Sequence, residues 1–180
     1  MRHIVTPAAL GRANAIVTRE MEKLGLWTPR LEDVEVMLVP LGIDAYGWFN
    51  GHIHIPRVSG PQLLDLFRGH HTRLTDILRH EWAHALAEAC PRLTGSSRCF
   101  VNAFGGAYDG SRPARAYLPS HHVTAYAAHS PCEDFAEVFH LYLRHKGRIP
   151  LSLAAKPVIA GKWRFVAALA RRLAAGRHAW

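Results

Sequence analysis

The stretch from Leu74 to Ala89 constrains this chain more than any other, because its apolar residues recur at spacings of three and four. Leu74, Ile77, Leu78, Trp82, Ala85, Leu86 and Ala89 trace one side of an α-helix at about 100° per residue. His80 and His84 stand opposite most of that stripe, with Glu81 on its border. One face therefore reads as core and the other as chemistry. Thr72 is suited to cap the helix at its start, and Pro91 stops it after Cys90.

The residues on the second face form H-E-x-x-H, His80-Glu81-Trp82-Ala83-His84. On a helix, positions four apart lie one above the other, so the two imidazoles can bind one Zn²⁺ while Glu81 sits beside the metal. A carboxylate there can take a proton from a zinc-bound water and pass it to a leaving amine. With 13 histidines in 180 residues, chance supplies roughly 0.04 such matches. The pattern is read as a metal helix.

A chain of 180 residues, 49% of them hydrophobic, fits one domain spanning 1–180. No apolar run approaches 18 residues and no long apolar segment follows Arg2 and His3, so neither a membrane span nor a Sec-type signal is expected. The expected location is cytoplasmic, with export by another route left open. Cys90, Cys99 and Cys132 lack C-x-x-C spacing, which argues against a structural zinc knuckle; a Cys90 to Cys99 bridge stays open for an exported protein. The net charge is +8, but the basic residues are spread out. The densest set, Lys162, Arg164, Arg171, Arg172 and Arg177, alternates with alanines and leucines and reads as the wet face of a terminal helix. Nucleic acid is thus a partner left open and not favoured.

Taken in order, Thr6-Pro7 opens a helix that runs to Leu24 and ends at Gly25. A strand is expected within Leu31 to Leu41, a turn-rich connection over Gly42 to Asn50, and a second short strand at His52 to Ile55. That second strand reads as an exposed edge with His52 and His54 on its polar face, and its backbone as a place for extended substrate. A short helix covers Pro61 to Phe67. Cys99, Phe100 and Val101 suggest a strand before a turn at Gly105-Gly106, and Asp109 to Ser120 a surface loop. Helices follow over Cys132 to His145 and Pro157 to Ala175.

A catalytic zinc takes three protein ligands and a water, so a third ligand is needed. The metzincin continuation fails, because Ala87 and Cys90 stand where glycine and histidine belong. Glu88, one turn beyond His84, is placed to brace it. Glu133 and Glu137 lie four apart on one helix face, and one can bind metal while the other holds a ligand histidine. His121, His122 and His129 are alternative ligands in a Pro-bounded segment that reads as solvated loop. His140 lies near the site without touching it, Cys132 reads as an apolar filler, and Tyr126 as a half-buried aromatic or a catalytic group.

H-E-W-A-H, followed about fifty residues later by Tyr126-Ala127-Ala128-His129-Ser130-Pro131-Cys132-Glu133-Asp134-Phe135-Ala136-Glu137, resembles the gluzincin group that includes bacterial zinc-binding metallopeptidases and the catalytic domain of anthrax lethal factor. The resemblance covers roughly Leu74 to Leu143. It implies that Glu133 is the third ligand, that Tyr126 faces the metal, and that Glu137 supports a ligand. Cys132 departs from the pattern, since related chains often carry an aromatic there. The expectation is an α+β zincin-like single domain, with a small twisted sheet packed on the H-E-x-x-H helix and a second helix carrying Glu133. The implied activity is zinc-dependent peptide hydrolysis, with Glu81 as general base, Tyr126 stabilising the oxyanion, and a protein or peptide as substrate. The alternatives are a DNA-associated zinc protease that uses the basic surface, and a non-catalytic zinc-binding or sensor domain.

Overall fold

Thr6 opens the first helix with its own side chain, whose Oγ1 accepts a hydrogen bond from the Ala9 amide, and Pro7 occupies the first turn. The computed structural model describes residues 4–42, 46–66, 73–95, 97–110 and 115–179. Helix α1 spans Pro7–Lys23, and strands β1 (Val36–Val39), β2 (Gly47–Phe49) and β3 (His52–Pro56) follow. Then come α2 (Gly60–Leu66), α3 (Leu74–Ala89), α4 (Pro91–Thr94), α5 (Arg98–Phe104), α6 (Pro131–Arg144), α7 (Leu151–Ala154) and α8 (Pro157–Ala174). The fold is α+β and mostly helical, with an open three-stranded mixed sheet.

Helix α3 is the centre of the packing. Helices α6 and α1 both pack against it, and β2 and β3 contact it from the sheet. Eleven of its residues, from Asp76 to Ala87, are buried, including Asp76, Arg79, His80 and Glu81. Beside the apolar stripe, Asp76 and Arg79 are covered by protein, while His80, Glu81 and His84 line a cleft. Trp82 anchors the apolar side, with its indole 5.3 Å from that of Trp27 and its Nε1 donating to Asn14 Oδ1 at 2.8 Å.

The sheet differs from the sequence expectation in a way that matters for the site. Its order is β1-β3-β2, with β3 parallel to β1 and antiparallel to β2, so the His52–Pro56 strand is the middle one and has no free edge. The segment read as a connection contains β2, which turns back into β3 through Asn50 (φ 49°) and Gly51 (φ 82°). Two successive left-handed residues make the tight turn that matches strand twist, and Asn-Gly is its preferred sequence. Ile53 and Ile55 are buried in the core. His52 and His54 point to the other face, where His52 Nδ1 accepts from the Glu35 amide at 3.3 Å and His54 packs against Phe49.

A second correction concerns Cys99, Phe100 and Val101, expected as a strand and found inside α5. Ser97 caps it by accepting from the Phe100 amide at 3.2 Å, and Phe100 and Phe104, four apart, stack at 4.7 Å and are both buried. β1 is shorter than the expected strand because only Val36–Val39 finds a partner in β3. Thr72, expected as the cap of α3, and Phe67, expected as the end of the short helix before it, lie outside the described residues. No described helix is long and apolar enough to cross a membrane.

Candidate metal centre

Two helices supply the centre. His80 and His84 project from the middle of α3 into a cleft, and Glu133 reaches the same point from the first turn of α6. That turn is built to hold its place: Pro131 stands at the helix start, and Ser130 Oγ accepts from the Glu133 amide at 3.3 Å. His80 Nε2 lies 3.1 Å from His84 Nε2 and 3.0 Å from Glu133 Oε2, and His84 Nε2 lies 3.7 Å from that same oxygen.

These separations average about 3.3 Å, and a tetrahedral ion bonded at about 2.0 to 2.2 Å sets its donors about 3.3 to 3.6 Å apart. Among the described residues no donor is assigned to the buried Glu133 Oε2, which lies 3.0 Å from His80 Nε2. Two imidazole nitrogens and a carboxylate oxygen thus converge on one point. Among the described residues this is the one group of three whose atoms could hold a metal ion.

Each imidazole is held from behind by a different kind of group. His80 Nδ1 is 2.8 Å from Oε1 of the fully buried Glu137. An ionised carboxylate can only accept, so Nδ1 carries the hydrogen and Nε2 of the neutral ring carries the lone pair. His84 Nδ1 is 2.6 Å from the phenol oxygen of Tyr108. The bracing expected of Glu88 is therefore done by Tyr108, which no spacing rule singles out. Glu88 is exposed and only lines the cleft.

Glu81 sits beside the cluster and not in it. Its Oε2 accepts from the Trp48 amide of β2 at 2.7 Å. Gly47 makes that approach feasible: its φ is +84°, and a Cβ there would lie 2.8 to 3.0 Å from the Glu81 carboxylate atoms. Tyr126 opens a 3₁₀ turn, Tyr126–Ala128, that packs on α6. Its ring centre is 5.8 Å from that of His80, and it lines the same cleft.

Charge in the cleft is one-sided. Burial opposes protonation of His80, but its contacts with Glu133 and Glu137 and the nearby charge of Glu81 outweigh burial and push its pKa well above 6.5. Burial would raise the Glu133 carboxyl, yet the two histidines hold it below the usual carboxylate range. Burial, reinforced by Cys132, Glu133, Glu88 and Glu81, lifts the Tyr108 phenol well above 10, so it stays neutral. Cys132 also lines the cleft, half-buried; burial raises its thiol pKa, and its Sγ lies 3.0 Å from Ser130 Oγ.

The other candidate ligands go elsewhere. His121 contacts Ser120, His129 contacts the Tyr126 carbonyl, and neither lines the cleft. His122 is buried rather than solvated, with Nδ1 accepting from the Leu118 amide at 3.2 Å. His140 belongs to a separate cluster at Asp76, 3.3 Å away. No family model, no curated protein and no solved structure matches the chain, so the reading of this centre rests on its own residues.

Proposed function

We propose that the chain is a zinc-dependent metallopeptidase. The observation that carries this reading is the convergence of His80, His84 and Glu133 in a cleft where Glu81 stands beside them and outside the ligand set. The resemblance of H-E-W-A-H and the Tyr126 to Glu137 run to gluzincins supports the same assignment. Two imidazoles and one carboxylate suit zinc and leave a coordination position for water or substrate.

Bound there, zinc supplies Lewis acidity, which lowers the pKa of a water and polarises a carbonyl. The chain's own residues do the rest. Glu81 takes the proton from the water that adds to the scissile carbonyl, and returns it to the amide nitrogen as the C–N bond breaks. The Trp48 amide holds Oε2 of Glu81 during both transfers. Tyr126 donates its phenol hydrogen to the developing oxyanion, an interaction worth about 2.7 to 4 kcal/mol in comparable sites. Glu137 keeps the His80 ring in its ligand tautomer.

Substrate has a natural rail in β2, since this is the outer strand beside the cleft. The Trp48 amide turns toward Glu81 and away from β3, and in an antiparallel pair the carbonyl of the same residue turns outward with it. An extended peptide can donate to the Trp48 carbonyl on that edge while its own carbonyl faces the metal ligands. The test is twofold: elemental analysis is expected to find one zinc per chain, and a denatured protein is expected to be cleaved by wild type but not by Glu81→Gln. A loss of under tenfold in Glu81→Gln, about 1.4 kcal/mol, would remove Glu81 as the base.

A further inference from the structure

The two histidines of α3 are braced unequally. His80 leans on a carboxylate and His84 on a phenol, Tyr108, at 2.6 Å. Tyr108 comes from the loop after α5, where nothing in the H-E-x-x-H motif or the α6 run points to it. Its ring is fixed all the same. The backbone amide donates to the Gly95 carbonyl at 3.1 Å, and the ring packs edge-on against Phe100 (5.8 Å) and Phe135 (6.3 Å). Phe100 is itself gripped by Phe104 and Phe165, so the phenol is anchored through a cluster drawn from α5, α6 and α8.

We propose that Tyr108 is a positioning residue of the metal centre: its phenol oxygen accepts the Nδ1 hydrogen of His84 and thereby turns the His84 Nε2 lone pair toward His80 and Glu133. The inference rests on the metal-binding reading above and adds a residue to it. A phenol can do this without adding charge, whereas a carboxylate would join Glu81, Glu88 and Glu133 in a cleft whose described lining holds no lysine or arginine, with Glu137 buried behind His80. It also ties the two ligand helices together. Tyr108 holds His84 of α3 by its hydroxyl, and its ring lies on Phe135, two residues after the α6 ligand Glu133. A shift of α6 relative to α3 therefore disturbs the brace and the ligand set together.

Tyr108→Phe removes one oxygen and leaves the ring packing, so it separates bracing from filling space. Zinc affinity should be measured by competition with a chelator, for wild type, Tyr108→Phe and Glu88→Gln. Loss of a group that orients a metal-bound imidazole costs about 10 to 100-fold in metal affinity, and that loss is expected for Tyr108→Phe, with Glu88→Gln within twofold of wild type. The melting temperature of the metal-stripped Tyr108→Phe protein should stay near that of stripped wild type. A second readout needs no variant: in zinc-loaded protein labelled with ¹⁵N-histidine, the His84 Nδ1 hydrogen should exchange with water at least tenfold more slowly than in Tyr108→Phe. If Tyr108→Phe holds zinc within twofold of wild type and His84 Nδ1–H exchange is unchanged, Tyr108 only fills space and the proposal falls. If wild type itself takes up no stoichiometric zinc, the metal-binding reading fails and takes this one with it.

Discussion

Helix α3 carries two enclosed polar clusters, and they differ in how their charge is balanced. At Asp76, the protein neutralises itself: Arg79 pairs bidentately with Glu20 at 2.8 Å and reaches Asp76 at 2.7 Å, while Arg144 stands 3.7 Å from the other Asp76 oxygen. Two carboxylates thus meet two guanidiniums, with His140 beside them. One turn along the helix, Glu81, Glu133 and Glu137 surround His80 and His84, and no lysine or arginine lines the cleft among the described residues. A cluster that closes its own charge is part of the scaffold. A cluster left with excess negative charge and converging lone pairs suits a cation brought from outside.

The largest expected effect would break the comparison outright. Glu133→Ala or His80→Ala should empty the centre, since two protein ligands seldom hold zinc against buffer, whereas no substitution at Asp76 should change metal stoichiometry. Elemental analysis of purified variants decides it. One equivalent of zinc retained by His80→Ala would mean that α3 is not the metal helix.

Next comes Asp76→Ala, which leaves the buried Arg79 with one partner removed. Breaking a buried pair from one side costs about 3 to 5 kcal/mol, and that loss is expected in urea unfolding, with zinc content unchanged in the folded fraction. A cost under about 1 kcal/mol would place Asp76 among exposed pairs of little consequence.

A smaller effect separates the two α6 carboxylates. Glu137→Ala should lower zinc affinity about 10 to 100-fold without emptying the centre at excess zinc, because Glu137 orients His80 and does not touch the metal point. If instead Glu137→Ala lost the metal and Glu133→Ala kept it, the register of the motif on α6 would be one helical turn out, and the part given to Tyr126 would fail with it.

How much of this was legible beforehand depends on distance along the chain. His80, His84 and Glu81 are neighbours in one helix, and Glu133 and Glu137 in another, so helical spacing alone displayed them. The pairing of the helices is what brings Glu137 to His80, and only the family resemblance ranked the two carboxylates. Asn50-Gly51 is a readable hairpin signal, masked by the other turn-forming residues of 42–50, and β2 goes with it. Phe100 and Phe104 likewise had helical spacing, hidden by the β-like run Cys99-Phe100-Val101. By contrast, the central place of β3 depends on which strand pairs with which, a non-local choice. The Trp48 amide is backbone, invisible to side-chain patterns, and Tyr108 reaches His84 from 24 residues away with no periodicity to announce it.

The subtlest prediction turns the same contrast into a pH profile of the metal-stripped protein. His80 has its folded pKa raised above 6.5, so its contacts with Glu133 and Glu137 contribute stability that is fully present below pH 6.5 and is lost as pH rises through the raised value. Glu133 has its folded pKa lowered below 4.5, so its contribution is present above pH 4.5 and is lost as pH falls toward the lowered value. Both contributions are present together between about pH 4.5 and 6.5. Arg79, whose pKa is raised because Glu20 and Asp76 outweigh burial, stays charged across this whole range, so its own protonation adds no slope here. Calorimetry of stripped protein should therefore show a melting temperature that is highest near pH 5 to 6 and declines toward pH 9, while the zinc-loaded protein gains most over the stripped form at the alkaline end, where no proton competes for His80. A stripped protein whose melting temperature kept rising from pH 6 to 9 would show that His80 is not held by its carboxylates in the way the geometry requires.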